Sequence, residues 1–169
     1  PMADIAPTIY PTKKSACYAL MMQQLDALCL DVPAIISKLA NTAALIYHAL
    51  SDLNWAGFYL RKGDTLLLGP FQGKTACVMI PFGRGVCGTA AQTRQLQLVP
   101  DVHAFPGHIA CDSVSASEIV IPLVQNDVLI GVLDIDSPVK ERFDETDAEG
   151  LSALCEVLLK SCDFSKGLL

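Results

Sequence analysis

Apolar residues recur along this chain in two different rhythms. Between about 15 and 30, Tyr18, Met21, Met22, Leu25 and Leu28 fall at helical spacing. From about Pro33 to Leu50, a second stripe is made by Ile35, Leu39, Ala43, Ile46 and Leu50, with Pro33 suited to a first-turn position. The rhythm then changes. WAGFYLR and TLLLGPF flank Lys62-Gly63-Asp64, and SEIVIPLV and VLIGVLDID flank Gln125-Asn126-Asp127, so each set reads as a β-hairpin. Turns this short force antiparallel neighbours, because parallel strands need a long crossover. A last helix is predicted from near Thr146, where Thr146-x-x-Glu149 matches a capping box and Leu151, Leu154, Cys155, Leu158 and Cys162 form the apolar stripe. The predicted fold class is α+β, an antiparallel sheet with N- and C-terminal helices packed on one face. Residues 1–14 read as an N-terminal extension and 15–169 as the domain. The stretch from about 83 to 116 reads as loops around a short helix, a natural place for a site.

Composition narrows the function. A chain of 169 residues fits one domain with a real hydrophobic core. Half of it is apolar (51%), yet no run is long enough to span a bilayer. No secretory h-region follows Met2, and Pro1 reads as a cloning remnant. A net charge of -6 argues against nucleic acid or an anionic membrane as partner and permits a cationic or zwitterionic ligand. Seven cysteines is an odd number in a chain too large to need staples, so reduced thiols and a cytoplasmic location are expected. The N-terminal helix, with paired Met21 and Met22, offers a face on which a second copy could dock, a homodimer.

The cysteines differ by context. Cys29, Cys155 and Cys162 fall on apolar helical faces and read as small buried hydrophobes. Cys17 is uninformative. Cys77 opens an apparent strand, where a core role fits the local pattern equally well. Cys87 follows Gly83 and Gly85 at the start of the short helix, where a helix N-terminus would stabilise a thiolate. Cys111 lies in a polar loop with no periodicity that calls for burial. A loop thiol facing another thiol suits attack, sulfenic acid formation and condensation to a disulfide.

Two other readings compete here. Gly83-x-Gly85-x-x-Gly88 satisfies the dinucleotide-binding pattern, with Asp101 near the expected ribose position. That fingerprint needs a parallel βαβ unit, which the hairpins disfavour. His103, His108 and Cys111, with Cys77 or Cys87, could make a tetrahedral zinc site, although no tight ligand pair is present.

The acids carry more information than the histidines. Alternate residues of a strand share a face, so Ile130, Val132, Asp134 and Asp136 are expected to point the same way. They would form either the floor and charged mouth of a pocket or a strand leaving the core. A turn centred on 126 pairs Glu118 with 134, which favours a cluster. Clustered acids raise one another's pKa, so one can stay protonated and donate while ionised ones bind an ammonium.

The segments NWAGFYL, GPFQGKTACVMIPFGRGVCGTAA, HIACDSVSASEIVIPL, GVLDIDS and RFDETDAEGL, in that order over roughly 15–162, resemble the free methionine-(R)-sulfoxide reductases, which are built on a GAF domain. The resemblance implies a single GAF-like catalytic domain that needs no cofactor or metal. It implies Cys111 as the nucleophile on the sulfoxide sulfur, Cys77 as resolving cysteine and Cys87 as a second resolving candidate. It further implies Glu118, Asp134 and Asp136 binding the substrate ammonium and assisting protonation of the sulfoxide oxygen. Trp55 and Tyr59, on one face of the first strand, would wall the methyl group, and the loop around 100–112 would close over the ligand. Thioredoxin would be the reductant. The other class compatible with these residues is a redox-responsive GAF-type small-molecule sensor without turnover.

Overall fold

The structure is a computed structural model that describes residues 8–109 and 111–169. Two helices, α1 (Lys14–Cys29) and α2 (Ile35–Ala49), lead into strands β1 (Trp55–Lys62), β2 (Thr65–Gly73) and β3 (Met79–Pro81). Then come α3 (Gly85–Thr93), β4 (Gln97–Val99), β5 (Ser117–Gln125), β6 (Val128–Ser137) and α4 (Glu145–Lys160). The strands form one sheet in the order β3-β2-β1-β6-β5-β4, and every pairing is antiparallel. This is the α+β architecture that the hairpin spacing predicts. It also removes the dinucleotide reading, since Gly83 and Gly85 belong to no parallel βαβ unit.

Strand alternation splits the core in two. Ala56, Phe58, Ile119, Ile121, Leu123, Leu133 and Ile135 face helices α1, α2 and α4, with Met21, Leu25, Leu39, Ile46, Leu151 and Leu158 fully or almost fully buried there. The opposite face carries Trp55, Tyr59, Val120 and Val132 under α3, and this smaller cluster includes Cys87. Met21 is fully buried, while Met22 is half-buried against the same core, so of the pair only Met22 keeps surface that a second copy could reach. Of the extension read as 1–14, residues 8–14 are described; Lys14 already opens α1, and the Tyr10 hydroxyl donates to Gln24 Oε1 at 2.8 Å. No helix among the described residues is long and apolar enough to cross a membrane.

Several local expectations need correction. Pro33 stands before α2 rather than in its first turn. The cap of α4 is Asp144, whose side chain accepts from Asp147 N while the Asp147 side chain accepts from Asp144 N; Thr146 and Glu149 lie inside the helix. Asp147 does more than cap: fully buried, it also accepts from the Tyr18 hydroxyl and pairs with Lys14, which locks α1 to α4. The second hairpin turns on two residues, Asn126 and Asp127, both at positive φ, as in a type I′ turn. An irregularity at Leu123/Val124 then shifts the pairing, so Glu118 pairs with Asp136 and Val120 with Asp134. The same bulge turns Ile130 toward the helix layer and puts Leu129 on the face of Val132 and Asp134.

Gly57 is a position where the fold tolerates no side chain. A Cβ there would lie 2.3 Å from Phe71 Cβ and 2.8 Å from Trp55 Cη2. Its absence lets the Trp55 ring stack on Phe71, with centroids 5.2 Å apart, and on Tyr59 at 5.8 Å. Overpacking of this kind costs about 1–3 kcal/mol. Gly57→Ala is therefore expected to lower stability in urea denaturation by about that amount. It should also shift the emission of Trp55, the chain's one tryptophan. An unchanged midpoint would mean that the ring is not held as described.

Candidate active site

The pocket lies between the sheet's α3 face and the loops that follow β2 and the Val102–Ala104 turn. Trp55 and Tyr59 form its aromatic wall from β1, and Glu118, Asp134 and Asp136 reach it from β5 and β6. Cys87 enters from the first turn of α3, and Cys111 from the loop before β5. Seven of the eight expected site residues thus line one cavity. The eighth, Cys77, sits in the loop before β3 and is covalently bonded to Cys111, with S–S 2.00 Å and Cα–Cα 5.8 Å. Local pattern allowed Cys77 to be a core residue; instead it is half-buried in a loop and crosslinked across 34 residues of chain.

Backbone anchors fix these groups. Tyr59 donates its hydroxyl to the Cys77 carbonyl at 2.9 Å, and Trp55 donates Nε1–H to the Lys74 carbonyl at 3.1 Å. One strand therefore holds the loop that presents Cys77. The Cys111 side is held by Asn54, whose Nδ2 donates to Ser115 Oγ at 3.0 Å and to Asp112 Oδ2 at 3.2 Å. Sequence reasoning left out Asn54, Asp112 and Ser115, because polar residues at loop ends leave no periodic signal. Gly88 allows α3 to approach, since a Cβ there would meet the Pro81 carbonyl oxygen at 2.5 Å.

The carboxylates form a cluster despite the altered register, because a slip of two residues preserves the face. Glu118 stands directly opposite Asp136 and one diagonal from Asp134. Cys87 Sγ lies 3.9 Å from Glu118 Oε1. Glu118 and Asp134 are buried, and no ion pair among the described residues involves any of the three acids. Asp134 Oδ1 is buried with no hydrogen-bond donor among the described residues. Burial first, then the charges of Asp134 and Asp136, push the Glu118 carboxyl well above the usual carboxylate range. Burial raises Asp134 as well, and burial followed by Asp134 and Asp112 raises Asp136 well above it.

Cys87 departs from its expectation. It does occupy the first turn of α3, but burial and then Asp134, Glu118 and Asp136 push its thiol well above the ordinary value. A helix terminus contributes at most a few kcal/mol at favourable partly buried sites, about 2. Desolvation beside acids outweighs it, so Cys87 is held as a neutral thiol rather than a thiolate.

The zinc set does not assemble. Cys77 and Cys111 use their sulfurs on each other, His103 is exposed, and His108 is half-buried at the pocket. Among the described residues, the one group of ligand-type atoms is Cys87, Glu118 and Asp134, within 4.8 Å of one another. Asp101 is engaged on its own loop and with Lys140: it pairs with Lys140 at 2.7 Å and accepts from His103 N at 3.0 Å. Of the loop expected to close over a ligand, His108, Ile109, Cys111 and Asp112 reach the pocket. Arg84, exposed, lines it too and was not singled out from the sequence.

An antiparallel six-stranded sheet with a pocket under α3 has known counterparts. The GAF domain family matches residues 25–159. A free methionine-R-sulfoxide reductase of Escherichia coli (strain K12) is 53% identical over 156 residues, covering 90% of this chain and 94% of that one. The structure of a Neisseria meningitidis free methionine-R-sulfoxide reductase in complex with its substrate superposes with a TM-score of 0.90 at 42% identity, covering 98% of this chain and 99% of that one. A Burkholderia vietnamiensis chain described as a GAF sensor protein is 56% identical with a TM-score of 0.87, covering 89% and 96%. Fold, pocket and these similarities together mean that the chain belongs to the GAF-domain family, in its free methionine-R-sulfoxide reductase branch.

Proposed function

We propose that this protein reduces free methionine-(R)-sulfoxide to methionine by thiol chemistry at Cys111. The observation that carries this reading is the placement of a Cys77–Cys111 disulfide at the mouth of a pocket whose floor is three clustered, unpaired acids. Cys111 thiolate attacks the sulfoxide sulfur while a protonated acid of the cluster gives its proton to the sulfoxide oxygen. Collapse releases methionine and leaves Cys111 as the sulfenic acid. Cys77 then displaces the hydroxyl as water and forms the disulfide. A dithiol, thioredoxin in the cytoplasm, returns two electrons and two protons. Trp55 and Tyr59 receive the methyl end of the substrate, and Arg84 is the cation available to its carboxylate.

Cys87 contributes differently from the other two. Its sulfur stands beside Glu118, so as a second resolving group it would have to reach Cys111 from within the acid cluster.

Selectivity for the free amino acid follows from electrostatics. Ionised acids this deeply buried need a cation, and the substrate's ammonium supplies it. Peptide-bound or N-acetylated methionine sulfoxide has no such group. Ammonium binding also eases a conflict, because acids that assist the leaving oxygen would otherwise deplete the neighbouring thiolate.

The test is substrate loss. With dithiothreitol and racemic free methionine sulfoxide, the R epimer should disappear while the S epimer and N-acetylmethionine sulfoxide remain. Cys111→Ser should abolish even the first turnover. Cys77→Ser should keep one turnover and lose recycling by thioredoxin. Persistence of the R epimer would leave the sensor reading in its place.

A second expected outcome concerns stability. The folded pKa of Glu118 lies above its unfolded value, so its contribution is fully present below the unfolded value and is lost as pH rises toward the folded one. Glu118→Gln removes that loss. Without ligand, the variant should melt above the wild type at pH 8, with the difference shrinking as pH falls to the ordinary glutamate range. A variant that melts lower at pH 8 would contradict the unpaired cluster.

A further inference from the structure

Of the two cysteines that line the pocket, Cys111 is spent on the disulfide and Cys87 keeps its thiol. Resolution by Cys77 leaves that thiol without a task in the proposed reaction. Its neighbours are metal ligands by type. Cys87 Sγ, a Glu118 carboxylate oxygen and an Asp134 carboxylate oxygen lie within 4.8 Å of one another, and all three residues are buried. α3, β5 and β6 each supply one of them, so regular structure rather than a loop sets the spacing. A tetrahedral zinc, with Zn–S of about 2.3 Å and Zn–O of about 2.1 Å, holds sulfur and oxygen about 3.6 Å apart. Cys87 Sγ and Glu118 Oε1 stand 3.9 Å apart, close to that spacing.

One oxygen of the set also lacks a partner. Asp134 is 6% exposed, and its Oδ1 has no hydrogen-bond donor among the described residues. Buried acceptors of this kind are almost always satisfied, so the atom calls for a donor or a cation. No lysine or arginine among the described residues pairs with Glu118, Asp134 or Asp136. The cavity beside them is about 40 Å³, room for an ion with one or two waters, since a water needs about 10–15 Å³.

We infer that Cys87, Glu118 and Asp134 form a binding site for zinc, with Asp136 or a water as fourth ligand. The donor set selects the ion. A thiolate beside carboxylates suits zinc, whereas magnesium and calcium take oxygen ligands alone. On binding, Cys87 gives its proton to solvent, and the cation neutralises carboxylates that the fold leaves unpaired. The metal site stands apart from turnover. Its consequence rests on the proposed reaction: zinc occupies the ground that the substrate ammonium would take, so zinc and substrate exclude each other.

Binding is measured on the oxidised full chain, whose Cys77–Cys111 bond removes both of those sulfurs as ligands. Dialysis against zinc followed by elemental assay should give a single zinc per chain, and dialysis against magnesium none. Cobalt in place of zinc should show the near-ultraviolet charge-transfer band of a cobalt thiolate. Cys87→Ser should lose that band and weaken zinc by roughly tenfold or more. Asp134→Asn, which keeps the thiol, should weaken zinc while keeping the band at cobalt saturation. Cys29→Ser and Cys155→Ser, at buried thiols of the helix layer, should bind as the wild type does. No retained zinc, a band that survives Cys87→Ser, unchanged zinc affinity in Asp134→Asn, or a band lost in either helix-layer variant would overturn the site. The overlap with substrate is read in a Cys77→Ser/Cys111→Ser chain, which cannot react. Free methionine-(R)-sulfoxide should raise its apparent zinc Kd, and the S epimer, an equal chelator in solution, should not. Equal effects of the two epimers would overturn the overlap and leave the metal site standing.

Discussion

Buried negative charge without a partner is the constraint around which this molecule is arranged. Glu118, Asp134 and Asp136 face one another across adjoining strands under α3, with Cys87 against them. Ionised carboxylates taken out of water are costly unless paired, and without a cation the proton is the partner at hand. The cluster is therefore a store of protons and a socket for a cation. The proposed reaction would use both properties: a proton for the departing oxygen and a binding charge for the ammonium of a free amino acid.

The rest of the fold holds two bonded cysteines at the mouth of that socket. Cys77 and Cys111 come from loops on different parts of the sheet, and strand β1 organises both. Tyr59 bonds the Cys77 carbonyl, Trp55 bonds the carbonyl of Lys74 three residues upstream, and Asn54 just before the strand bonds Asp112 and Ser115. Gly57 lets the aromatic wall lie flat between these anchors. Reactive positions thus sit on loops, while a rigid strand beneath sets their separation. The helix layer on the other face, locked through Asp147, lines none of the pocket and gives the sheet its support.

Much of this was legible because it obeys simple periods. Ile35, Leu39, Ala43 and Ile46 fix α2, and the two hairpins fix an antiparallel sheet. Glu118, Asp134 and Asp136 share a face through strand alternation alone, which a shift of two residues in register does not disturb. Ile130 failed the same rule because a bulge beside the tight Asn126-Asp127 turn inserts one residue, and a single insertion changes face where two do not. Cys87 was misread for a different reason: helix position is visible in sequence, whereas burial against acids from two distant strands is not. Family resemblance put Cys77 ahead of Cys87 as the partner of Cys111 without deciding the bridged pair, since a sequence separation of 34 hides it from local pattern. Asn54 and Arg84 escaped entirely, being polar residues at element ends.

Proton linkage on binding tests the central claim most directly. A Cys111→Ser chain, kept reduced so that it binds without reacting, is titrated calorimetrically with free methionine-(R)-sulfoxide near pH 7. The titration is repeated in buffers of different ionisation enthalpy. If the ammonium replaces protons in the Glu118, Asp134 and Asp136 cluster, the observed enthalpy will depend on the buffer with the sign of proton release. Enthalpies that are equal in all buffers, or that report proton uptake, would contradict a proton-bearing cluster waiting for a cation.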